Sequence, residues 1–316
     1  MAMPLVETKN LRKYFKTGAG TLHAVEDVNL KIMPGKTLGV VGESGCGKST
    51  LGRTILRLQP ATGGEVLYNG ENILKYRGKD MQKIHLNMQM VFQDPYSSLD
   101  PRMSVHNLIA EPVQVCGLLK TKAEINEHVR EIMDMCGLPA DQANLYPHEL
   151  DGGLRQRVGL ARAMAVSPKF IVCDEPVSAL DVSIQAQILN LLMDLQEQRE
   201  LSYMFITHDL CVVKHISDEI MVMYMGQVVE HAKTAELFAN PVHPYTKALL
   251  HAVPTIDLSR RNREGFMLRG EVTSPINPAP GCRFAPRCPY ATDKCKENVC
   301  LKEVSPDHFV ACSLCD

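Results

Sequence analysis

A glycine-rich stretch near the N-terminus constrains the fold of this chain more than any other feature. It fits the pattern G-x-x-x-x-G-K-[S/T] at every fixed position and runs Gly42-Glu43-Ser44-Gly45-Cys46-Gly47-Lys48-Ser49-Thr50. Residues 37–41 before it form an apolar run typical of a buried strand, and residues 51–58 after it have a helical pattern. A strand, a glycine-rich loop and a helix in this order predict a phosphate-binding loop within an α/β fold.

The residue types of this loop suit a nucleoside triphosphate. Its glycines let successive backbone N–H groups converge on phosphate oxygens, and the helix that follows adds its positive N-terminal end. We expect Lys48 to reach the β- and γ-phosphates and the Ser49 hydroxyl to bind Mg²⁺. The predicted nucleotide-binding residues of the loop are Gly42, Ser44, Gly45, Cys46, Gly47, Lys48, Ser49 and Thr50. A glycine-rich turn that fits the pattern by chance is the alternative, and the other motifs argue against it.

Length and charge exclude several classes of protein. The chain has 316 residues, enough for one large domain or two smaller ones, and a formal net charge of −2. Its bulk charge therefore does not indicate a nucleic-acid partner. We find no secretion signal and no apolar run of about 18 residues, the length needed to cross a bilayer. We expect a chain that is neither secreted nor membrane-spanning but could dock on a membrane protein.

Polar residues follow three further strand-like segments. The apolar run 169–173 ends in Asp174 and Glu175, which predicts a Mg²⁺ ligand acting through water and a general base that polarises the attacking water. Strand 202–207 ends at His208, on the edge of a parallel sheet where ligands bind. Gln93 follows the run 88–92 and could contact Mg²⁺ or water beside the γ-phosphate. By composition alone, Gln93 is only a loop glutamine and His208 a surface histidine.

Two other regions complete the pattern. Helical periodicity predicts helices over 105–116, 122–136 and 152–166, separated by glycines and prolines. Tyr14 and Phe15 lie in the first predicted connection, upstream of the phosphate loop, and Phe15 is the better candidate to stack on an adenine. The alternative is that both rings only pack on the sheet.

Together these motifs resemble those of the ATP-binding subunit of ABC transporters, and in that family's order. The order is Walker A (42–50), Q-loop (Gln93), signature helix (150–157), Walker B (170–175), D-loop (178–181) and H-loop (His208). Segments 42–58, 91–99 and 173–185 are most similar to the F-type ATPase subunit of bacterial dipeptide and oligopeptide importers. The resemblance implies an ABC-type P-loop ATPase, an α/β fold with a RecA-like core, an antiparallel β subdomain, a helical subdomain and a Cys-rich C-terminal extension.

The resemblance also implies a domain organisation and a set of partner subunits. We expect an ABC ATPase domain over 1–253, with its helical subdomain at about 103–167, and the extension over 254–316, whose first part, 254–281, has the composition of a linker. The family's ATPase subunits work as a head-to-tail pair, here with a D-type partner. They lie on the cytoplasmic face of the cell membrane, beneath two transmembrane permeases fed by an extracellular peptide-binding protein. Each ATP then lies between one subunit's Walker A and the other's signature helix.

The signature itself departs from the family pattern L-S-G-G-Q. Here it is Leu150-Asp151-Gly152-Gly153-Leu154, so that Asp151 replaces the serine that meets the γ-phosphate. Aspartate remains a good helix N-cap, but its charge has the same sign as the triphosphate. Two like unit charges 4 Å apart cost about 4 kcal/mol at an effective dielectric near 20. The site completed by Asp151, Gly152 and Gly153 is therefore expected to be slow or inactive, unless the glycine N–H groups suffice for closure.

Six of the 11 cysteines lie near the C-terminus, between Cys282 and Cys315. Their spacings suit neither a zinc knuckle nor a zinc ribbon, and disulfides are unexpected in a reducing cytosol. Four cysteine thiolates are the usual ligands of an iron–sulfur cluster. The resemblance implies a [4Fe-4S] cluster held by Cys282, Cys288, Cys295 and Cys312. Zinc and reduced free thiols are the alternatives.

Other functions remain open at this point. The chain could serve an importer of nickel chelates or another solute, because an ATPase subunit does not touch the transported molecule. It could be a soluble ABC ATPase of translation or repair, although such proteins usually fuse two cassettes or carry long coiled coils. It could also be a regulatory or redox-sensing subunit that binds ATP and barely hydrolyses it.

Overall fold

The computed structural model of the chain describes residues 3–253, 274–297 and 299–315. These residues form two compact units, which we describe separately. The first comprises residues 1–32, 37–74 and 205–316, and the second comprises residues 33–36 and 75–204. No helix within the described ranges is long and apolar enough to cross a membrane.

The described residues of the first unit form strands of two sheets. An antiparallel sheet has the strand order β2-β1-β4-β5, and its strands are β1 (Val6–Thr17), β2 (Gly20–Ile32), β4 (Gly63–Tyr68) and β5 (Glu71–Asn72). A second set has the order β11-β12-β10-β9-β3, with strands β3 (Thr37–Val41), β9 (Glu219–Tyr224), β10 (Gln227–Lys233), β11 (Lys302–Ser305) and β12 (His308–Val310). Strand β3 is buried along its whole length and pairs in parallel with β9, from Leu38 opposite Glu219 to Val41 opposite Val222.

Four α-helices belong to the described part of this unit. They are α1 (Lys48–Ile55), α8 (Leu210–Ile216), α9 (Thr234–Ala239) and α10 (Pro244–His251). Helix α8 packs against β3 and is capped by the Asp209 carboxylate, which accepts hydrogen bonds from the N–H groups of Cys211 and Val212. Helix α1 begins at Lys48, within the phosphate loop 42–50, so strand β3 precedes the loop and this helix contains its last residues.

The second unit combines two parallel strands with six helices in its described part. The strands are β6 (Met88–Val91) and β7 (Phe170–Asp174), and every residue of β7 is buried. The helices are α2 (Lys79–Asn87), α3 (Pro95–Ser98), α4 (Val105–Val115), α5 (Lys122–Met135), α6 (Gly152–Met164) and α7 (Val182–Arg199). Helices α4, α5 and α6 pack against one another, and Thr121 with Glu124 forms a complete capping box at the start of α5. Strand β8 (Ser202–Thr207) leads from this unit into the first.

The described C-terminal residues, 274–297 and 299–315, form part of the first unit's core. We call them the tail. Strand β12 pairs with β10, with Glu230 opposite Val310, and β11 completes a hairpin with β12. Phe284 is 1% exposed and packs on Tyr224 and Tyr245, with ring centroids 5.3 and 5.4 Å away. The tail therefore supplies both a strand and a core side chain.

The elements agree with the predictions except in three places. Tyr14 and Phe15 lie within β1 and not in a connection, because β1 continues to Thr17 through several register shifts that interrupt its apolar alternation. Helices α2, α3, α8, α9 and α10 and the strands β11 and β12 were not predicted, since α2 is largely polar and the other elements have at most eight residues. The predicted linker 254–281 falls mostly outside the described residues, and at its described end Ile276 bridges to Leu22.

Candidate nucleotide site

The phosphate loop has a backbone that only glycine fits at its end. Gly47 has a φ of 107°, and a Cβ placed there would lie 2.1 Å from the carbonyl oxygen of Ala24. Gly45 also has a positive φ, 77°, but faces open space. Gly47 therefore allows a close approach of two backbones, whereas Gly45 allows only a left-handed conformation.

The Lys48 side chain is buried and turned back onto the loop. Its ammonium donates hydrogen bonds to the carbonyl oxygens of Gly42 at 2.8 Å and Glu43 at 3.0 Å, and it lies 3.8 Å from the Cys46 sulfur. Burial also raises the pKa of the Cys46 thiol above its usual range. A cation held at the centre of a glycine-rich loop suits a phosphate group, as the sequence predicts.

The two candidate aromatic rings have different surroundings. Tyr14 stacks on His23, with ring centroids 4.1 Å apart, and its hydroxyl donates to the Glu26 carboxylate. Burial and this hydrogen bond raise the pKa of Tyr14 to about 12. Phe15 is half-buried, and the Lys13 ammonium lies 4.6 Å from its ring centroid. Tyr14 is thus engaged within the protein, which leaves Phe15 the better candidate for stacking on a base.

In the second unit the structure brings together two residues that were predicted to be catalytic. The Gln93 amide donates a 2.9 Å hydrogen bond to a carboxylate oxygen of Glu175. Glu175 follows the buried strand β7 and has a φ of 46°, and Asp174, at the end of β7, is fully buried. The loop after β6 and the end of β7 therefore meet at these two side chains, as their parallel pairing requires.

The altered signature caps helix α6. The Asp151 carboxylate accepts a 2.7 Å hydrogen bond from the Leu154 N–H, the contact of a helix N-cap. A Cβ on Gly153 would lie 2.7 Å from the Ile184 side chain, so the helix start packs closely on α7. The predicted capping role of Asp151 is confirmed, and its predicted effect on ATP stays a prediction. His208, in the first unit, directly follows β8 and is exposed.

Two of the terminal cysteines, Cys282 and Cys288, have raised pKa values. Burial raises the pKa of Cys282 to about 11, and the Cys295 and Cys312 thiols add to this shift. Burial also raises the pKa of Cys288, again with contributions from Cys312 and Cys295. Within the described ranges, however, no three or more His, Cys, Asp or Glu side chains are arranged to hold a metal ion. The four predicted ligands, all within the described ranges, therefore do not form a metal-binding group.

Comparison with known proteins decides the family. Residues 25–178 match the family described as ABC transporter, and residues 229–295 match the oligopeptide/dipeptide transporter, C-terminal region. The oligopeptide transport ATP-binding protein OppF of Bacillus subtilis (strain 168) is 49% identical over 315 residues, which cover 99% of this chain and 97% of that protein. AppF of the same organism, also an oligopeptide transport ATP-binding protein, is 48% identical over 320 residues, 98% of this chain and 97% of that one. The chain belongs to the ATP-binding proteins of oligopeptide/dipeptide ABC transporters.

Solved structures of ABC cassettes share the fold of this family member. The dimeric structure of the bacterial ABC transporter cassette MJ0796 has a TM-score of 0.67 and 30% sequence identity, and the match covers 72% of this chain and 98% of that one. A post-hydrolysis dimer of the same cassette, bound to ADP and Pi, matches equally well. This chain is accordingly an ATPase with the fold of an ABC cassette.

The sequence motifs missed several residues around the phosphate loop of this ABC ATPase. The Glu43 N–H donates to the Tyr245 hydroxyl at 2.8 Å, and the Glu43 carboxylate binds the Arg287 guanidinium at 2.8 and 3.2 Å. Arg283, in the same tail segment, donates to Glu26 at 2.7 Å. Glu43 occupies a variable position of the loop pattern, and both arginines are far from it in sequence, so no motif could have indicated these contacts.

Proposed function

We propose that this ABC ATPase is one of two ATP-binding subunits that power the import of di- or oligopeptides. The match of residues 229–295 to the oligopeptide/dipeptide transporter, C-terminal region, carries the proposal, because that family is described by its peptide substrates. Relatives named for oligopeptide transport, nearly half identical over almost the whole chain, support it. Two membrane permeases and, indirectly, an extracellular peptide-binding protein complete the proposed assembly at the cytoplasmic face of the membrane.

The motif residues have separate proposed roles. The backbone of loop 42–50 and Lys48 bind the phosphates, and Phe15 stacks on the adenine. Ser49 and Asp174 offer hydroxyl and carboxylate oxygens, the ligand type that Mg²⁺ prefers. Glu175 acts as the general base on the attacking water, oriented by Gln93 through their 2.9 Å hydrogen bond, and His208 assists at the γ-phosphate.

We further propose that the two ATP sites of the pair are unequal. In a head-to-tail dimer, Asp151 faces the triphosphate bound to a D-type partner, where its like charge opposes closure. The site built on this chain's Lys48 then carries the turnover. Dimeric cassettes among the structural relatives support the pairing of two ATPase subunits.

Reconstituted complexes test both proposals. Co-purification with two permease chains and ATPase stimulation by peptide-loaded binding protein are expected, whereas stimulation only by nickel chelates would contradict the peptide assignment.

The inequality of the two ATP sites is tested by substitutions in the same complexes. Lys48→Ala in this chain is expected to abolish turnover, and the matching lysine change in the partner is expected to leave most of it. Asp151→Ser is expected to raise turnover. Equal loss from both lysine changes, with no effect of Asp151→Ser, would show that the sites are equivalent.

Finally, we propose that Cys282, Cys288, Cys295 and Cys312 hold a [4Fe-4S] cluster after a local rearrangement. The effect of the Cys295 and Cys312 thiols on the pKa values of Cys282 and Cys288 supports this, since cysteine thiolates are the ligands of such clusters. When bound, the cluster would cross-link the C-terminal segment that carries these four cysteines. Protein purified without oxygen is expected to contain about four iron atoms per chain, by the proposed stoichiometry. Cys295→Ser should remove them and Cys300→Ser should not; zinc or no metal in the wild-type protein would contradict the proposal.

A further inference from the structure

The phosphate loop carries a carboxylate whose negative charge would repel the phosphates expected to bind there. Glu43 lies within the loop, and its carbonyl oxygen accepts a hydrogen bond from Lys48, the residue assigned to the β- and γ-phosphates. A triphosphate and an uncompensated carboxylate on the same short loop repel each other, and partial burial makes this repulsion stronger than in bulk water. Binding a triphosphate here therefore requires that the charge of Glu43 be neutralised.

The C-terminal segment supplies that neutralising charge. Arg287 makes a two-pronged ion pair with Glu43, with N–O distances of 2.8 and 3.2 Å. The Arg287 side chain is only 7% exposed and that of Glu43 26% exposed, so water screens the pair only in part. The hydrogen bond with Glu43 raises the pKa of Arg287 further above its usual value, so the guanidinium stays charged. The fork geometry fixes the orientation of the carboxylate as well as its charge.

Buried aromatic side chains hold both partners of this ion pair in place. The Tyr245 hydroxyl accepts a hydrogen bond from the Glu43 N–H, and Tyr245 packs edge-on against Tyr224 with ring centroids 4.8 Å apart. The Arg287 guanidinium lies 5.9 Å from the Tyr224 ring centroid, and one of its nitrogen atoms is 3.5 Å from the Tyr224 hydroxyl. The N–H, the carbonyl oxygen and the carboxylate of Glu43 thus all have partners, and the position of the loop depends on the tail.

A second anchor keeps the tail docked independently of Arg287. The Arg283 guanidinium donates to the Glu26 carboxylate at 2.7 Å, and both side chains are largely buried. Hydrogen bonds from Tyr14, His23 and Arg283 outweigh the effect of burial and hold the pKa of Glu26 below its usual value. With Phe284 in the core and β12 paired to β10, loss of Arg287 alone should leave the tail in place.

We propose that Arg287 is a positioning residue of the nucleotide site: it neutralises Glu43 and fixes the phosphate loop, so that triphosphate affinity depends on the docked C-terminal segment. Arg287 itself does not touch the nucleotide. Because Cys288 is the next residue, any rearrangement of the cysteine segment acts directly on this ion pair. The proposal rests on the assignment of loop 42–50 as the phosphate site.

Nucleotide binding to the full-length chain tests the proposal, with Mg²⁺ and a fluorescent ATP analogue as the probe. Arg287→Ala is expected to weaken binding about ten-fold, equivalent to about 1.4 kcal/mol. The loss should be smaller for the ADP analogue and smallest for the AMP analogue, since repulsion grows with ligand charge. Lys296→Ala is the matched control, because Lys296 lies in the same segment and pairs with Asp293 at the surface. It should leave binding unchanged.

A rescue separates neutralisation from a merely structural role. Adding Glu43→Gln to Arg287→Ala removes the uncompensated charge and is expected to restore binding to within about three-fold of wild type, by the same charge argument. Binding by Arg287→Ala within two-fold of wild type, or a double variant as weak as the single one, would overturn the proposal.

Two further variants keep the test decisive. If Arg287→Ala does not fold, Glu43→Gln alone decides: glutamine keeps an acceptor for Arg287, so we expect binding as tight as wild type or tighter. Weakening by more than about three-fold would contradict neutralisation. Lys48→Ala tests the site assignment separately. If it leaves ATP binding intact, loop 42–50 is not the phosphate site; if it abolishes binding while Arg287→Ala has no effect, only the present inference fails.

Discussion

At the scale of single residues, the phosphate loop depends on a position where no side chain fits. Gly47 precedes Lys48 at the start of α1, with a φ of 107° and no room for a side chain against Ala24. In the chain's first hairpin turn, by contrast, a Cβ on Gly18 would meet nothing within 4 Å. The two glycines therefore differ in whether a side chain would fit, a difference that the composition of the chain does not show.

We therefore predict that Gly47→Ala abolishes nucleotide binding, because the added methyl group forces apart the backbones of the loop and β2. The strained φ and the overlap with the Ala24 carbonyl should together lower the free energy of unfolding by about 1–3 kcal/mol. Urea unfolding and titration with a fluorescent ATP analogue measure the two effects. Gly18→Ala should leave both unchanged, and a Gly47→Ala protein that binds ATP normally would contradict this account of the loop.

At the scale of secondary-structure elements, one buried carboxylate connects three segments of the first unit. Glu230 of β10 is fully buried and accepts hydrogen bonds from the N–H groups of Val242 and His243 and from the His308 ring of β12. His243 in turn caps α10, where its Nδ1 atom accepts a hydrogen bond from the Tyr245 N–H. The helix that positions Tyr245 beside the phosphate loop thus begins at a neutral, buried histidine.

This histidine predicts a pH-dependent stability. Burial, with a smaller contribution from the nearby Lys247 charge, lowers the pKa of His243 to about 3, whereas in the unfolded chain it is near 6.5. Below pH 6.5 the unfolded state therefore binds a proton that the folded state does not, so stability falls as the pH drops from about 6.5 toward 3. Between pH 7.5 and 5.5 the expected loss is about 1.4 kcal/mol.

Denaturant unfolding at those two pH values measures the effect. His243→Asn keeps a capping oxygen and removes the titration, so its stability should fall less over this interval than that of the wild type. The matched control is His251→Asn, at the exposed end of the same helix, which should keep the wild-type pH dependence. An identical pH dependence in the wild type and in His243→Asn would show that His243 does not titrate as proposed.

The same elements show how far sequence reasoning extends. Helices α4, α5 and α6 begin where periodicity places them, and the strands before the phosphate loop and before Glu175 are strong signals because both are short and largely apolar. Strand β1 was harder, because register shifts break its alternation and put Tyr14 and Phe15 inside a strand. The pairing of β12 with β10 and of Arg287 with Glu43 joins distant residues, and no local pattern encodes such contacts.

At the scale of the whole molecule, the question is whether the C-terminal tail is an appendage or part of the first unit's core. Sequence composition favours an extension joined by a linker, whereas the described tail residues group with the first unit. Phe284 is central to that contact, since it touches Tyr224, Tyr245 and His243 at ring-centroid distances of 5.3, 5.4 and 5.6 Å. If the tail is part of the core, destabilising it must destabilise the strands and helices that surround the phosphate loop.

We predict that Phe284→Ala lowers the free energy of unfolding of the first unit by about 3–5 kcal/mol, the usual cost of emptying a buried phenylalanine site. Hydrogen exchange of β9 and β10 amides follows that unit directly, and protection in both strands should decrease together with protection of β12. Tyr290→Ala is the matched control: it removes an aromatic ring from the same segment, but one that is 52% exposed, and should change stability by less than about 0.5 kcal/mol. An appendage would behave differently, because β12 would then lose protection while β9 and β10 kept theirs.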